Sequence, residues 1–224
     1  MKTILDRKQI IDDLRTNISQ LLDMHNSVNE ELAELKEKAE MLESGQFTDK
    51  LTGLYNRTFF NRRLEEEFHR ARRYGNPLSL VLMEVNNFDK HLDTHGKEAG
   101  DYILMQTAKI ILNNTRLSDI VFRLDTCKFA IILNDTPEKG ANYETERIKK
   151  VIEDTRLFTH DFFEQNKTAS KQQKGNHNIT VSIGLISLME SIKEPNDLFI
   201  AAEELLEKAK TADRNNTVGY QQFG

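Results

Sequence analysis

The sequence predicts an α/β domain, a central sheet of about five strands flanked by helices, carried behind a long N-terminal coiled-coil helix. Three observations predict it. Apolar runs of strand length at residues 78–85, 129–133 and 179–185 alternate with longer stretches of helical period. The strand signals at 120–124 and 129–133 are close enough to be joined as a hairpin. The first 45 residues carry a seven-residue apolar repeat with no Pro or Gly before Gly45.

Composition narrows the class. A chain of 224 residues is long for one compact domain and short for two, so a domain with an extension is expected, residues 1–45 as the helix and 46–224 as the domain. A net charge of -5 gives no support for binding a nucleic-acid backbone. No apolar run approaches the ~18 residues of a membrane span, and the N-terminus lacks the apolar core of a signal peptide. The single cysteine, Cys127, cannot form an internal disulfide, which fits a reducing cytoplasm.

In chain order, Ile4, Ile11, Ile18, His25, Leu32 and Ala39 occupy the a positions of the repeat, and Leu14, Leu21, Val28, Leu35 and Leu42 occupy d. Only Arg7 breaks the d series. So narrow a seam needs a partner helix, and Ile at a with Leu at d favours a parallel pair, a homodimer through residues 4–42. Next, Asp49 can close a turn onto following N–H groups, Gly53 permits a left-handed residue, and Asn56 can cap a helix that runs to Tyr74 and stops at Gly75. Phe60, Leu64, Phe68 and Ala71 form its buried face.

Beyond the strand at 78–85, an apolar-periodic helix over 102–112 ends in Asn113, Asn114 and Thr115 and leads into Arg116-Leu117-Ser118-Asp119. Arg116 and Asp119, three apart, offer a fork of donors beside a carboxylate. That pairing suits a guanine edge, whose O6 and N7 accept while its N1–H and amino group donate. The hairpin tip, Asp125-Thr126-Cys127-Lys128, offers no evident catalytic pair. A helix over 137–158, a polar loop over 165–176, a strand at 179–185 and a helix capped by Asn196 and running to Asp213 complete the order.

The string DKLTGLYNR, residues 49–57, closely resembles the D-x-L-T-G-L-x-N-R entry of GGDEF domains, the diguanylate cyclase family. The resemblance extends over residues 47–220 and implies a nucleotidyl-cyclase palm-like sheet. In that family the strand at 78–85 ends in a magnesium-binding aspartate followed by a lysine. Here Glu84 and Asp89 stand at those places, with Lys90 one residue on, and Glu84 is one methylene longer than octahedral magnesium favours. Leu92 and Asp101 stand where guanine-recognising residues are expected. RLDTCKF aligns with R-Y-G-G-D/E-E-F: Asp125 and Thr126 replace the glycines, Cys127 the metal-binding acid and Lys128 the glutamate. Lys210 and Arg214 occupy phosphate-contacting positions.

The expectation is therefore a non-enzyme, with magnesium not expected, no cofactor required, and Glu84, Asp101, Lys210 and Arg214 left as a residual nucleotide or metal pocket. Arg116-Leu117-Ser118-Asp119, by contrast, matches the family's R-x-x-D inhibitory motif. It implies a cyclic di-GMP site formed by Arg116, Asp119 and Arg147, with Arg123 counted beside them. The implied function is a cytoplasmic, dimeric cyclic di-GMP receptor signalling to a protein partner. The alternatives are a nucleotide-independent scaffold and a weakly active cyclase using Glu84.

Overall fold

The structure, a computed structural model, describes residues 47–156, 178–212 and 217–219, with single positions between residues 18 and 36. The chain divides into two compact units, Met1–Phe47 and Thr48–Gly224. In the first, the described positions between 18 and 36 are helical, and Ile18, Leu21, Val28 and Leu32, all a or d positions of the repeat, are 48–63% exposed. His25, at an a position, is likewise helical and exposed, and the other a and d positions of the repeat lie outside the described residues. No helix among the described residues is long and apolar enough to cross a membrane.

The second unit opens with Asp49, whose Oδ1 accepts from the Thr52 N–H at 2.8 Å and the Thr52 hydroxyl at 2.7 Å. Helix α1, Arg57–Tyr74, follows, its first turn capped by Asn56, whose side chain accepts from the Phe59 N–H. Gly75 ends it in the left-handed conformation, φ 70°. Then come β1 (Leu78–Val85), α2 (Phe88–His95), α3 (Lys97–Asn113), β2 (Ile120–Arg123), β3 (Lys128–Asn134), α4 (Glu138–Asp154), β4 (Val181–Ser187), α5 (Pro195–Ala212) and β5 (Thr217–Gly219). The five strands form one sheet in the order β2-β3-β1-β4-β5. It is antiparallel except for the β4–β5 pair. This is the expected α/β class.

The central strand explains its own sequence. With both faces covered, β1 reads LSLVLMEV, apolar without alternation, and Leu80 to Met83 are fully buried. Val81, Met83 and Val85 join Phe129, Ile131, Ile183 and Leu185 in one core with Ala99, Ile103 and Ile111 of α3 and Ile148 and Ile152 of α4. On the other face lie α1 and α5, where Phe60 meets Phe122 edge-on at 5.3 Å and Phe199 at 5.6 Å. Gly184 of β4 lets α5 lie directly on the sheet: a Cβ there would meet the Ala202 carbonyl oxygen and the Leu206 nitrogen at 2.4 Å.

Several boundaries differ from the sequence expectation, each for a local reason. Helix α3 starts at Lys97 rather than 102, because Gly96 at φ 83° separates it from α2, a helix whose polar sequence gave no period to detect. Helix α5 is not capped by Asn196. It begins at Pro195, whose missing N–H is harmless in a first turn, and Asp197 accepts from the Glu194 N–H at 3.1 Å. Helix α4 takes Pro137 as its cap residue and ends at Asp154. The polar loop lies outside the described residues, and an isolated bridge, Arg156 to Asn178, stands at its base.

Candidate functional site

The loop from α3 to β2 is held by its own side chains. The Asn114 side-chain amide donates to the Ile110 carbonyl at 2.8 Å, and the Ile111 carbonyl accepts both the Asn114 backbone N–H at 3.0 Å and the Thr115 hydroxyl at 3.1 Å, so the helix end is closed by the residues that follow it. Asp119 Oδ2 accepts from the backbone N–H of Arg116 at 2.8 Å, and the Asn134 amide donates to the Ser118 carbonyl at 2.9 Å. Burial pushes the Asp119 carboxyl above its ordinary value, partly offset by the Arg116 N–H and charge.

Arg116 therefore starts from a fixed backbone. Its side chain is 63% exposed, and its Nη2 lies 2.6 Å from Oε1 of Glu144, a residue buried on α4. One turn further along the same helix, Arg147 donates from Nη2 to the Asn114 carbonyl at 2.6 Å. Arg116, Asp119 and Arg147 thus come together around one loop. The expected side-chain fork is arranged differently, since Asp119 binds the Arg116 backbone while the guanidinium turns to Glu144. Glu144 is the residue that sequence reading missed. Its only signal is an acid placed on the apolar face of an amphipathic helix, between Ala141 and Ile148.

Arg123 does not join this group. It lies at the opposite end of β2 from Asp119, only 12% exposed, and donates from Nη1 to Asp49 at 2.9 and 3.1 Å and from Nη2 to the Thr126 carbonyl at 2.8 Å. Its role here is to tie the hairpin to the turn ahead of α1.

A second site lies at the end of the sheet, where β1 presents Glu84 opposite Lys128 and Ser182. A cleft of about 490 Å³ opens there, lined among others by Glu84, Asn86, Asp89, Cys127, Glu207 and Lys210. Lys210 Nζ bridges Glu84 and Glu207, each at 2.9 Å, and Lys128 pairs with Glu203 at 2.9 Å. Burial alone would lower the Lys210 pKa, but its hydrogen bonds to Glu84 and Glu207 raise it above the ordinary value. Burial, with the charges of Glu84, Asp89 and Asp125, pushes the Cys127 thiol up to about 11.

These groups do not fit a magnesium ion. The Glu84 carboxylate is engaged by an ammonium, burial and the neighbouring acids disfavour the thiolate at Cys127, and no three possible ligands cluster among the described residues. Asp101 is on α3, outside the described lining of the cleft, while Leu92 packs its Cδ1 on the Cα side of Gly100. At the tip, Asp125 Oδ1 accepts from the Thr126 N–H at 2.7 Å, closing the turn on itself. Arg214 lies outside the described residues.

Comparison with known proteins places this geometry in a family. The model "Diguanylate cyclase, GGDEF domain" matches residues 46–216. Response regulator PleD of Caulobacter vibrioides is 28% identical over 219 residues, covering 98% of this chain and 41% of PleD. Diguanylate cyclase DosC of Escherichia coli is 33% identical over 151 residues, 67% of this chain and 31% of DosC. This chain therefore spans less than half the length of either relative. Among solved structures, the GGDEF domain of DgcB from Caulobacter crescentus in complex with c-di-GMP superposes with a TM-score of 0.70 at 22% identity, covering 79% of this chain and 96% of that one. Diguanylate cyclase SiaD of Pseudomonas aeruginosa, in complex with its activator SiaC, gives 0.69 at 21% identity over 96% and 77%. These two likenesses concern the fold.

The comparisons overturn one expectation. The sequence reading as a non-enzyme does not stand, because the matching family model and relatives such as DosC carry the name diguanylate cyclase. The substitutions at the hairpin tip and sheet end lie within residues 46–216, the whole of which matches that family model. This chain belongs to the GGDEF domain family of diguanylate cyclases.

Proposed function

We propose that the domain is a cyclic di-GMP receptor whose ligand sits on the loop between α3 and β2, against Arg116, Asp119 and Arg147. The observation that carries the reading is the convergence of two arginines from different elements on that loop, one of them 63% exposed. An exposed guanidinium can give two parallel donors to the O6 and N7 of a guanine or to a phosphodiester. Asp119 holds the Arg116 N–H with Oδ2, and its Oδ1 accepts the Ser118 hydroxyl at 3.4 Å, a long contact that a guanine N1–H and amino group would replace. Arg147 adds a second positive charge for a dianionic ligand. The DgcB structure, a c-di-GMP complex of the same fold, supports the choice of ligand.

In this reading two copies pair through the heptad helix, whose described a and d residues are exposed. The ligand then biases one arrangement of the paired domains, which a protein partner reads. No metal enters the recognition.

The test is calorimetric titration with cyclic di-GMP of the full chain and of Arg116→Ala. Binding at micromolar affinity or tighter, about -8 kcal/mol or better, that vanishes in the variant is the expected result. No heat from either protein ends the receptor reading.

A further inference from the structure

Glu144 is an unusual residue to find beneath an arginine offered to a ligand. It sits on the buried face of α4, 4% exposed, and its Oε2 is buried with no hydrogen-bond partner among the described residues. A carboxylate held in that way is under-satisfied, because burial removes water without replacing its hydrogen bonds. The partner it has is Nη2 of Arg116, at 2.6 Å. Arg147, on the same helix, gives its Nη2 to the Asn114 carbonyl. The next acid on the helix surface, Glu146, pairs outward with Lys149 at 3.1 Å.

This arrangement bears on how the loop receives an anion. Of the four charged side chains on and beneath it, Arg116 and Arg147 are positive while Asp119 and Glu144 are negative, so their formal charges cancel. A two-point contact from the terminal nitrogens of Arg116 also requires Nη2, the nitrogen that Glu144 holds. We propose that Glu144 is an internal competitor for Arg116, keeping the guanidinium against α4 in the ligand-free protein and losing it to the ligand on binding. Glu144 then sets the ligand concentration at which the site fills. The inference rests on the cyclic di-GMP reading above and adds the device that tunes it.

Glu144→Gln removes the charge and keeps the size and one acceptor. Titrated with cyclic di-GMP beside the parent chain, it should bind roughly tenfold tighter. Combined with Arg116→Ala, the gain should disappear, since there is no guanidinium left to release. Glu144→Met, which removes both charge and acceptor, should shift affinity in the same direction and guards against a fold defect specific to the glutamine. Thermal melting of each variant confirms that folded protein is being compared. Binding by the parent chain with unchanged or weaker affinity in folded Glu144→Gln and Glu144→Met overturns the competitor and leaves the receptor standing. Binding by none of the proteins overturns the receptor and the competitor together.

Discussion

Lys210 Nζ stands 2.9 Å from Glu84 Oε1, so the carboxylate at the end of the central strand is neutralised by the chain's own ammonium. The same nitrogen reaches Glu207 at 2.9 Å, which fixes it from the helix side. A dication would have to displace an ammonium that its two partners hold in the charged form. We therefore expect Mn²⁺, used as a paramagnetic substitute for Mg²⁺, to show no bound fraction at submillimolar concentration in the purified protein. Lys210→Met should create weak binding by freeing Glu84, and adding Glu84→Gln should abolish it. Tight Mn²⁺ binding by the unaltered chain would refute this account of the cleft.

Cys127 packs against the core from the hairpin tip and faces three acids, which together with burial raise its thiol from 9.0 to about 11. Thiolate is the reactive form, so at pH 8 its population should be roughly a hundredfold below that of a free cysteine. Alkylation by iodoacetamide should be slow to match, and Glu84→Gln should speed it by lifting one of the repelling charges. A rate equal to that of a model thiol would contradict the burial and the charges together.

Much of this was legible in the sequence, and the parts that were not have physical reasons. The Asn56 cap, the Gly75 stop and the apolar run of β1 act within a few residues, so their signals are local and the structure keeps them. Helix α2 and strand β5 are short, α2 is largely polar, and β5 owes its form to β4, 34 residues earlier. The candidate site divides along the same line. Arg116 and Asp119 are three apart in sequence and visible as a pair. The destination of the guanidinium, Glu144, lies on a helix that the sheet brings alongside. Arg123 misled for the same reason, since its motif neighbours are local and its partner Asp49 lies 74 residues earlier.

Asp119 makes the proposed ligand site sensitive to acid. Its carboxyl lies above the ordinary 3.8, chiefly through burial. The ionised form is the one that accepts from a guanine N1–H, so cyclic di-GMP affinity should be constant at neutral pH and fall on acidification. The fall should begin above pH 3.8, earlier than for a free aspartate. Asp119→Asn should bind more weakly at neutral pH and lose that acid limb. Calorimetry between pH 4.5 and pH 7, with folding checked by circular dichroism, measures both.

Gly184 should tolerate no side chain. The two backbone atoms at 2.4 Å from its ideal Cβ belong to successive turns of α5, so relief requires the whole helix to lift from the sheet. Gly184→Ala should lower stability by about 3 kcal/mol in urea unfolding. A variant as stable as the parent would mean that α5 is not seated on β4 as described.

Asp49 and Arg123 fasten the hairpin to the start of the domain, and their pairing leaves a pH signature of the opposite kind. Burial alone would raise the Asp49 carboxyl, but hydrogen bonds from Thr52 and Arg123 outweigh it and hold the pKa below 3.8. A carboxyl whose pKa is lowered by folding contributes stability above its unfolded value and loses it as pH falls through the folded one. The contribution should therefore be complete at pH 5 and decline as pH falls below 3.8 toward the folded value. Asp49→Asn should cost about 2 kcal/mol at neutral pH, the scale of hydrogen bonds to a charged group, and less at pH 3. Urea unfolding at pH 7 and pH 3 separates this from a packing defect, which would cost the same at both.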